Sequence, residues 1–425
     1  MEIESVPDRL SVPTRLTNRN FLLLWQGQTV SRLGNQAFSL AMAFWVMEAT
    51  GSASLMGLLL ATMSLPTALL APIGGAVADR FSRIRLLVVC DVIAGAAMLA
   101  SSLCLSSGRL SRPAEVALLF ALVTISGVVN AFFQPALAAC IPDLVPAERL
   151  NAANSLNQLS IQLAALLGQG VGGVLYHLLG AARLFFFDGL SFLFSAASQG
   201  LIRLPPPPPR ERRGFGASIR QFMGDIREGF AYIRSTPGLL AYISAPAAYN
   251  FFAFALLVLM PFYVKINLHG DARLYGFILA AMSCGAVTGF VIAGLVRFTG
   301  EARARFMVIL IGAAPLPMLV VGFVHDRLVA LGLSVILGVL IGLINVNLIT
   351  LIQTNTPAEL RGRVMGLWTA LLSALTPLSM ALGGFAGDLT GKNIPLVFTT
   401  CGALTLAITI ATLSRRATRE YLARA

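Results

Sequence analysis

Only a few charged side chains interrupt the long apolar runs of this sequence, and Arg32 lies alone inside the first run. Because an unpaired charge within a membrane is costly, such a residue normally faces a water-filled cavity or a partner. We expect Arg32 to bind an anionic or carbonyl group, or to pair with an acid. The alternative is a structural role, in which Arg32 caps helix carbonyls or locks helix packing.

Arg32 also belongs to a polar helix face. Gln28, Arg32, Asn35 and Gln36 follow one another in steps of four, three and one residues, a spacing that places them on one side of an α-helix. This face predicts the wall of a polar cavity. Amides also link helices by hydrogen bonds within membranes, so that reading stays open.

Acids inside apolar runs are the candidates for carrying a coupling proton. Asp188 lies near the start of the sixth run and is the best placed of them. The alternative is that Asp188 is a helix-start residue paired with Arg183. Glu48 and Asp388 lie near predicted helix ends, where we expect surface charges.

The composition indicates where these residues must sit. Hydrophobic residues make up 56% of the chain and charged residues 12%, about half of the ~25% usual for soluble domains. Runs such as Leu55 to Ala78 are long enough to cross a bilayer core of about 30 Å. The net charge of +12 comes from basic residues between apolar runs, a pattern that indicates membrane topology rather than nucleic-acid binding.

The order of the apolar runs predicts an all-α integral membrane protein with twelve transmembrane helices in two pseudo-symmetric six-helix bundles. Most Lys and Arg residues fall on one side of these spans, so both termini are expected in the cytoplasm. The predicted organisation is an N-terminus at 1–18, a first bundle at 19–203, a connector at 204–237, a second bundle at 238–414 and a tail at 415–425.

Two features support this division. Gly172-Gly173 recurs as Gly383-Gly384, and Pro146-Ala147-Glu148 recurs as Pro357-Ala358-Glu359, both at an offset of 211 residues, as expected of a duplicated unit. The connector begins with the proline run 205–209 and continues with an amphipathic helical pattern, which suits the inner membrane surface. That helix either contacts lipid or a regulator, or it is a plain tether between the halves.

The turn after the second run carries the most specific motif, Gly75-Ala-Val-Ala-Asp79-Arg80-Phe-Ser-Arg83-Ile-Arg85. It resembles the cytoplasmic signature G-x-L-A-D-R-x-G-R-K of the major facilitator superfamily. The resemblance implies a conformational latch, in which Asp79 faces the positive end of a helix in the other half. The arginines would pair with nearby acids, for which Asp91 is a candidate. The alternative is a topology signal only.

Further stretches resemble the branch of that superfamily that exports enterobactin, macrolides and other drugs. They are Asn20-Phe21-x-x-x-Trp25, Gly127-x-x-x-Ala131-Phe132-Phe133-x-Pro135-Ala136, Ile141-Pro142-Asp143-Leu144-Val145-Pro146 and Asp188-x-x-Ser191-Phe192. This resemblance implies a secondary transporter of the cytoplasmic membrane that moves a small amphipathic molecule by alternating access. Export with returning protons is the favoured direction.

The same resemblance predicts the cavity, because helices one, four, seven and ten line it in this superfamily. Beyond the face of the first run, the candidate cavity residues are Asn130, Gln134, Tyr249, Asn250, Asn345 and Asn347. The small residues expected to allow close helix packing are Gly168, Gly172, Gly173, Gly383 and Gly384.

The chain departs from the branch pattern at two positions. Gln169 stands where the antiporter signature of the fifth helix has proline, and Asn35 replaces an acid that often follows Gly34. The first departure puts the helix kink in doubt, and the second weakens a role of the first helix in proton coupling.

Other classes of function find little support in the sequence. No phosphate-binding loop, nucleophile–base cluster or metal-ligand spacing is present, so we expect no enzyme, no cofactor and no metal. The expected partners are a small-molecule substrate, protons and membrane lipid, with no nucleic acid, and the chain is expected to be a monomer. The alternatives left open are a uniporter or importer, a lipid flippase, and a sensor or partner protein that transports nothing.

Overall fold

The structure is a computed structural model that describes residues 18–203, 215–296 and 300–423. The predicted N-terminal segment before residue 18 and the proline run at 205–209 lie outside these residues. All regular elements within the described ranges are helical. The first half contains α1 (Arg19–Thr50), α2 (Ala53–Arg80), α3 (Arg83–Ser106), α4 (Arg112–Leu144) and α5 (Leu150–Gly200).

The second half follows the helix α6 (Phe215–Ser235) of the connector. It contains α7 (Leu239–Ile266), α8 (Ala272–Leu295), α9 (Gly300–Ala313), α10 (Leu316–Val321), α11 (Arg327–Asn355), α12 (Ala358–Leu389), α13 (Ile394–Leu413) and α14 (Arg416–Ala423).

Helix α5 contains two membrane spans that follow each other without a loop. Its 51 residues would extend to about 77 Å at 1.5 Å per residue, far beyond a bilayer core of ~30 Å. Gly180 breaks it, with φ 76° and ψ 172° in the middle of the helix. A positive φ of this kind is accessible to glycine at little cost. The break divides α5 into a first arm, 150–179, and a second arm, 181–200.

Within the described ranges, ten helical segments are long and apolar enough to cross a membrane. One of them contains both arms of α5, and another joins α9 to α10 across the turn at Ala314 and Pro315. Helix α1 is not among the ten, because polar residues such as Arg32, Asn35 and Gln36 lower its hydropathy. Its 32 residues are nevertheless long enough to cross, which is consistent with the twelve predicted spans.

Polar side chains cap the starts of six of the described helices. Asn18 accepts a hydrogen bond from the Phe21 amide at 2.9 Å, and Asp326 accepts from the Leu328 and Val329 amides, each at 2.9 Å. Such side chains satisfy amides that have no partner within the helix. These six helices therefore begin where the sequence supplies Asn, Ser or Asp before an apolar run.

The connector helix α6 is packed against α12. Arg363 Nε lies 2.9 Å from Asp225 Oδ1, and Arg363 Nη1 lies 2.5 Å from Glu228 Oε2. A Cβ added to Gly229 would lie 2.9 Å from the Arg363 carbonyl oxygen, so the two backbones approach closely. The acidic face of α6 thus attaches the connector to the start of α12.

The tail is also docked rather than extended. In α14, Tyr421 and Leu422 are buried, and the Tyr421 ring lies 5.7 Å from that of Tyr242 in α7, centroid to centroid. The residues predicted as a tail therefore complete the base of the second half.

Candidate transport site

The two halves meet through α2 against α12 and through α5 against α8. We call these two contacts the interhalf junction. Both contacts lie toward the same end of the bundle. At this end α2 and α8 begin, and α12 and the first arm of α5 end. The junction is built from glycines, whose lack of a side chain lets helix backbones touch.

The duplicated glycine pairs make equivalent contacts in the two halves. A Cβ added to Gly173 would lie 2.4 Å from the carbonyl oxygen of Ala272 in α8, and one added to Gly384 would lie 2.3 Å from that of Ala53 in α2. The preceding glycine of each pair instead faces a helix of its own half. Gly172 lies against Ala37 in α1, and Gly383 lies against Ala255 in α7. Gly168 also packs on α1, against Gln36 and Leu33.

A carboxylate joins the halves at the same end. Asp388 of α12 accepts hydrogen bonds from Ser52 Oγ at 2.8 Å, from the Ala53 amide at 3.0 Å and from the Ser54 amide at 2.9 Å. The negative charge therefore sits at the positive end of α2. We expected a surface charge at Asp388; the fold makes it an interhalf cap.

Two hydrogen bonds of Gln169 in α5 link it to α1 and to α8. Gln169 Nε2 donates to Gln36 Oε1 of α1 at 3.2 Å, and Ser283 Oγ of α8 donates to Gln169 Oε1 at 3.4 Å. Gln169, which replaces proline in the family signature, thus connects α1 with the other half. The sequence singled out this residue as a departure but did not indicate its partners.

The first-span face is used mainly for packing. Arg32 Nη1 donates to Ser160 Oγ at 2.5 Å and to the Asn157 carbonyl oxygen at 3.3 Å, and Arg32 Nη2 donates to Asn157 Oδ1 at 2.8 Å. Gln28 donates to Ser195 Oγ at 3.2 Å. These contacts join α1 to both arms of α5, which favours the structural alternative for Arg32. Asn35 remains exposed.

The latch residues occupy the end of α2 opposite the junction. Arg83 forms an ion pair with Asp143 and donates to the Ala139 carbonyl oxygen at 2.6 Å. Asp91 accepts from Gln199 Nε2 at 2.9 Å and is buried. The expected pairing of an arginine with Asp91 is therefore replaced by an Arg83–Asp143 pair, because Asp91 lies deeper in the bundle, beside α5.

The remaining latch residues lie on the turn itself or beside it. Asp79 and Arg85 are exposed, and a Cβ at Gly75 would meet nothing within 4 Å. The preceding Gly74 is the tightly packed one, since a Cβ there would lie 2.0 Å from the Ala131 carbonyl oxygen in α4. Arg80 is exposed on the same turn.

The second half encloses a cavity of about 340 Å³. Three of the predicted residues line it, namely Tyr249, Asn250 and Asn345. The rest of its wall is mainly apolar, and none of the described residues that line it is charged. The sequence did not single out the lining residues Ser334, Trp368 and Thr409, nor the aromatic residues Phe254 and Phe398. Ser334 and Trp368 stand singly in apolar runs, whereas Thr409 lies between Thr405 and Thr412 at helical spacing, a signal that could have revealed it.

Two polar groups in this cavity, on Tyr249 and Asn250, differ in their hydrogen bonds. The Tyr249 hydroxyl is buried and has no hydrogen-bond partner among the described residues. Asn250 Nδ2 donates to the Pro246 carbonyl oxygen at 3.0 Å and leaves its own oxygen available. Few oriented polar groups in an apolar wall are typical of sites for small amphipathic ligands.

The other predicted cavity residues do not line this space. Asn347 Nδ2 donates to the Leu343 carbonyl oxygen of its own helix at 2.9 Å. Gln134 donates to Asn130 at 3.1 Å, and both side chains are exposed on α4. The structure therefore divides the predicted residues into a cavity group in the second half and separate groups on α1 and α4.

Asp188 is buried in the second arm of α5, with 1% of its surface exposed. Its Oδ1 accepts from Ser191 Oγ at 3.2 Å. Its Oδ2 has no hydrogen-bond partner among the described residues. Arg183, the partner in the alternative reading, is exposed and makes no ion pair with it.

Comparison with known proteins agrees with this architecture. The chain is 24% identical over 379 residues to macrolide efflux protein A of Streptococcus pyogenes, covering 88% of this chain and 90% of that protein. It is 28% identical over 327 residues to the enterobactin exporter EntS of Citrobacter koseri, covering 76% and 71%. A solved structure of a variant of peptide transporter POT superposes with a TM-score of 0.71 at 15% identity, covering 97% and 98%.

The family assignment follows from the length of the match. The family model described as Major Facilitator Superfamily matches residues 24–379, which include the first half from Leu24 onward, the signature turn and the second half as far as Ser379. The resemblance drawn from the motifs is thereby confirmed. The chain belongs to the major facilitator superfamily of membrane transporters.

Proposed function

We propose that this transporter exports a small amphipathic molecule across the cytoplasmic membrane, with protons returning. The observation that carries the proposal is the cavity of the second half, which offers apolar walls, a few polar groups and no charged lining residue. The named activities of macrolide efflux protein A and the enterobactin exporter support export as the direction.

Both termini are proposed to lie in the cytoplasm, from the distribution of basic residues. The junction end, where Asp388 caps α2, then faces outward. With this proposed orientation the junction is the outer closure of the transporter, and export requires the junction to open while the opposite end closes. Alternating access of this kind is a rocking of one half against the other.

The cargo is proposed to bind beside Asn345 and Tyr249. Efflux of a macrolide and of enterobactin is measured in cells that lack other exporters, comparing Asn345→Ala with Asn347→Ala on the same helix. We expect Asn345→Ala to weaken efflux of a transported probe about fivefold, the effect of one lost hydrogen bond of ~1 kcal/mol. Asn347→Ala should leave it within about twofold. Equal efflux in both variants would remove the cavity as the cargo site.

Proton coupling is proposed to depend on Asp188, since a buried acid without a cation is a costly feature in a membrane. In inverted vesicles, Asp188→Asn should abolish accumulation driven by a proton gradient. Exchange of labelled for unlabelled cargo, which needs no net proton movement, should continue. If Asp188→Asn still accumulates cargo in response to the gradient, Asp188 does not have this role. If transport by the unmodified protein does not depend on the gradient, a uniporter is favoured.

A further inference from the structure

A second cavity, of about 550 Å³, lies in the first half between α1 and the two arms of α5. Its apolar wall includes Leu167, Val171 and Phe187, whose side chains are each about half exposed. We call this cavity the α1–α5 groove. Exposed large apolar side chains in a membrane-spanning helix are suited to lipid chains rather than water.

The groove opens to the side of the bundle and not between the halves. Gln169 and Gly173 of the first arm face α8. Leu167 and Val171 precede them by two residues, which turns them by about 200° around the helix. The face that carries the groove is therefore nearly opposite the interhalf junction, where surrounding lipid has access.

Among the described residues that line the groove, Asp188 is the charged one. Gly34 of α1 makes room for this side chain, since a Cβ there would lie 2.5 Å from Asp188 Oδ1. Arg32, one half-turn away on α1, is bonded to Asn157 and Ser160 and does not compensate the acid. The groove thus combines an apolar wall with a buried acid whose Oδ2 lacks a partner among the described residues.

We propose that the α1–α5 groove binds a lipophilic amine from the membrane. The ammonium group would pair with Asp188, and the alkyl chain would lie against Leu167, Val171 and Phe187. Charge complementarity selects this occupant, because a cationic head satisfies the carboxylate while its tail replaces lipid on the wall. The site is separate from the proposed cargo cavity, which is built from the second half.

The test is photolabelling of the full chain in phosphatidylcholine nanodiscs, with the attachment sites mapped by peptide mass spectrometry. The probes are dodecylamine and dodecanol, each carrying a diazirine on the alkyl chain. We expect the amine to label peptides of 163–190 at a concentration at least about tenfold lower than the alcohol needs. Asp188→Asn should remove this preference and leave labelling by the alcohol unchanged.

A second pair of variants keeps the test independent of the acid. Val171→Trp fills the groove and should suppress labelling by both probes, whereas Leu178→Trp, seven residues further along the exposed side of the same arm and outside the groove, should not. Equal labelling by amine and alcohol, labelling that Val171→Trp does not reduce, or attachment within the cavity of the second half would each overturn the proposal. Because the assay needs no transport, failure of the proposed export leaves its result unaffected.

Discussion

Gly57 of α2 and Gly384 of α12 lie directly against each other across the interhalf junction. A Cβ added to Gly384 would be 3.0 Å from the Gly57 Cα atom and 2.3 Å from the Ala53 carbonyl oxygen. Gly276 of α8 faces Gly173 of α5 in the same way, with the added Cβ 3.2 Å from the Gly173 Cα atom. The duplicated glycines therefore build two equivalent contacts that hold one end of the bundle closed.

Gly384→Ala should weaken this closed arrangement. The added methyl group meets backbone atoms of α2, which cannot move as a side-chain tip can, so the helices must separate. Overpacking of this kind typically costs about 1–3 kcal/mol. We expect a lower melting temperature in detergent and greater labelling of a cysteine introduced at the junction end.

Gly366→Ala is the matched control on the same helix. A Cβ at this exposed position meets nothing within 4 Å, and alanine favours a helix over glycine by up to about 1 kcal/mol. Its melting temperature should be unchanged or higher. A Gly384→Ala protein as stable and as closed as the control would contradict the packing argument.

Asp388→Asn should loosen the cap that one half places on the other. Asparagine can still accept hydrogen bonds from the start of α2 but carries no charge, and the charge at a helix start is typically worth about 0.3–1 kcal/mol. We expect faster labelling of a cysteine introduced at the junction end. Asp326→Asn, which changes a cap within the second half, should lower stability by a similar amount without changing that labelling rate.

Arg32 and Asn157 should behave as one unit in a double-mutant cycle. Hydrogen bonds to charged groups contribute about 1.5–3 kcal/mol each. Asn157→Ala removes the bond from Arg32 Nη2 to the Asn157 side chain and keeps the bond to its backbone carbonyl oxygen. We expect the destabilisation of Arg32→Ala with Asn157→Ala to be clearly smaller than the sum of the single changes, as measured by thermal unfolding in detergent. Simple additivity would mean that this link does not hold α1 to α5.

The surroundings of Asp271, at the start of α8, predict that the stability of the protein depends on pH. Partial burial raises the pKa of Asp271, but hydrogen bonds from the Arg273 side chain and from the Leu274 and Arg273 amides, with the Arg273 charge, outweigh it and hold the pKa below its usual range. A lowered pKa means that the ionised form stabilises the fold above the unfolded pKa of about 3.9, and that this contribution is lost as the pH falls through the folded value.

The measurement compares melting temperatures of the unmodified protein and Asp271→Asn from pH 6 downward. The unmodified protein should be the more stable at pH 6, and the difference should shrink below about pH 4. A constant difference over the whole range would show that the charge of Asp271 contributes nothing to the start of α8.

The sequence alone determined the membrane class, the helical fold and the doubled plan. These follow from the lengths of the apolar runs and from matched residues such as Gly172-Gly173 and Gly383-Gly384, because the bilayer fixes the length of a span and a duplication repeats its packing residues. The signature turn from Gly75 to Arg85 also indicated the family that the comparison confirmed.

Only the tertiary structure decided what the polar residues touch. Arg32 contacts α5 instead of lining the cavity of the second half, Asp388 caps a helix more than 300 residues away in sequence, and Asp188 faces the α1–α5 groove. A helical period gives the face on which a residue lies, but the neighbour of that face depends on how distant helices pack. The local sequence pattern therefore could not predict the partners of each polar group, whereas it did predict the apolar helices that carry these groups.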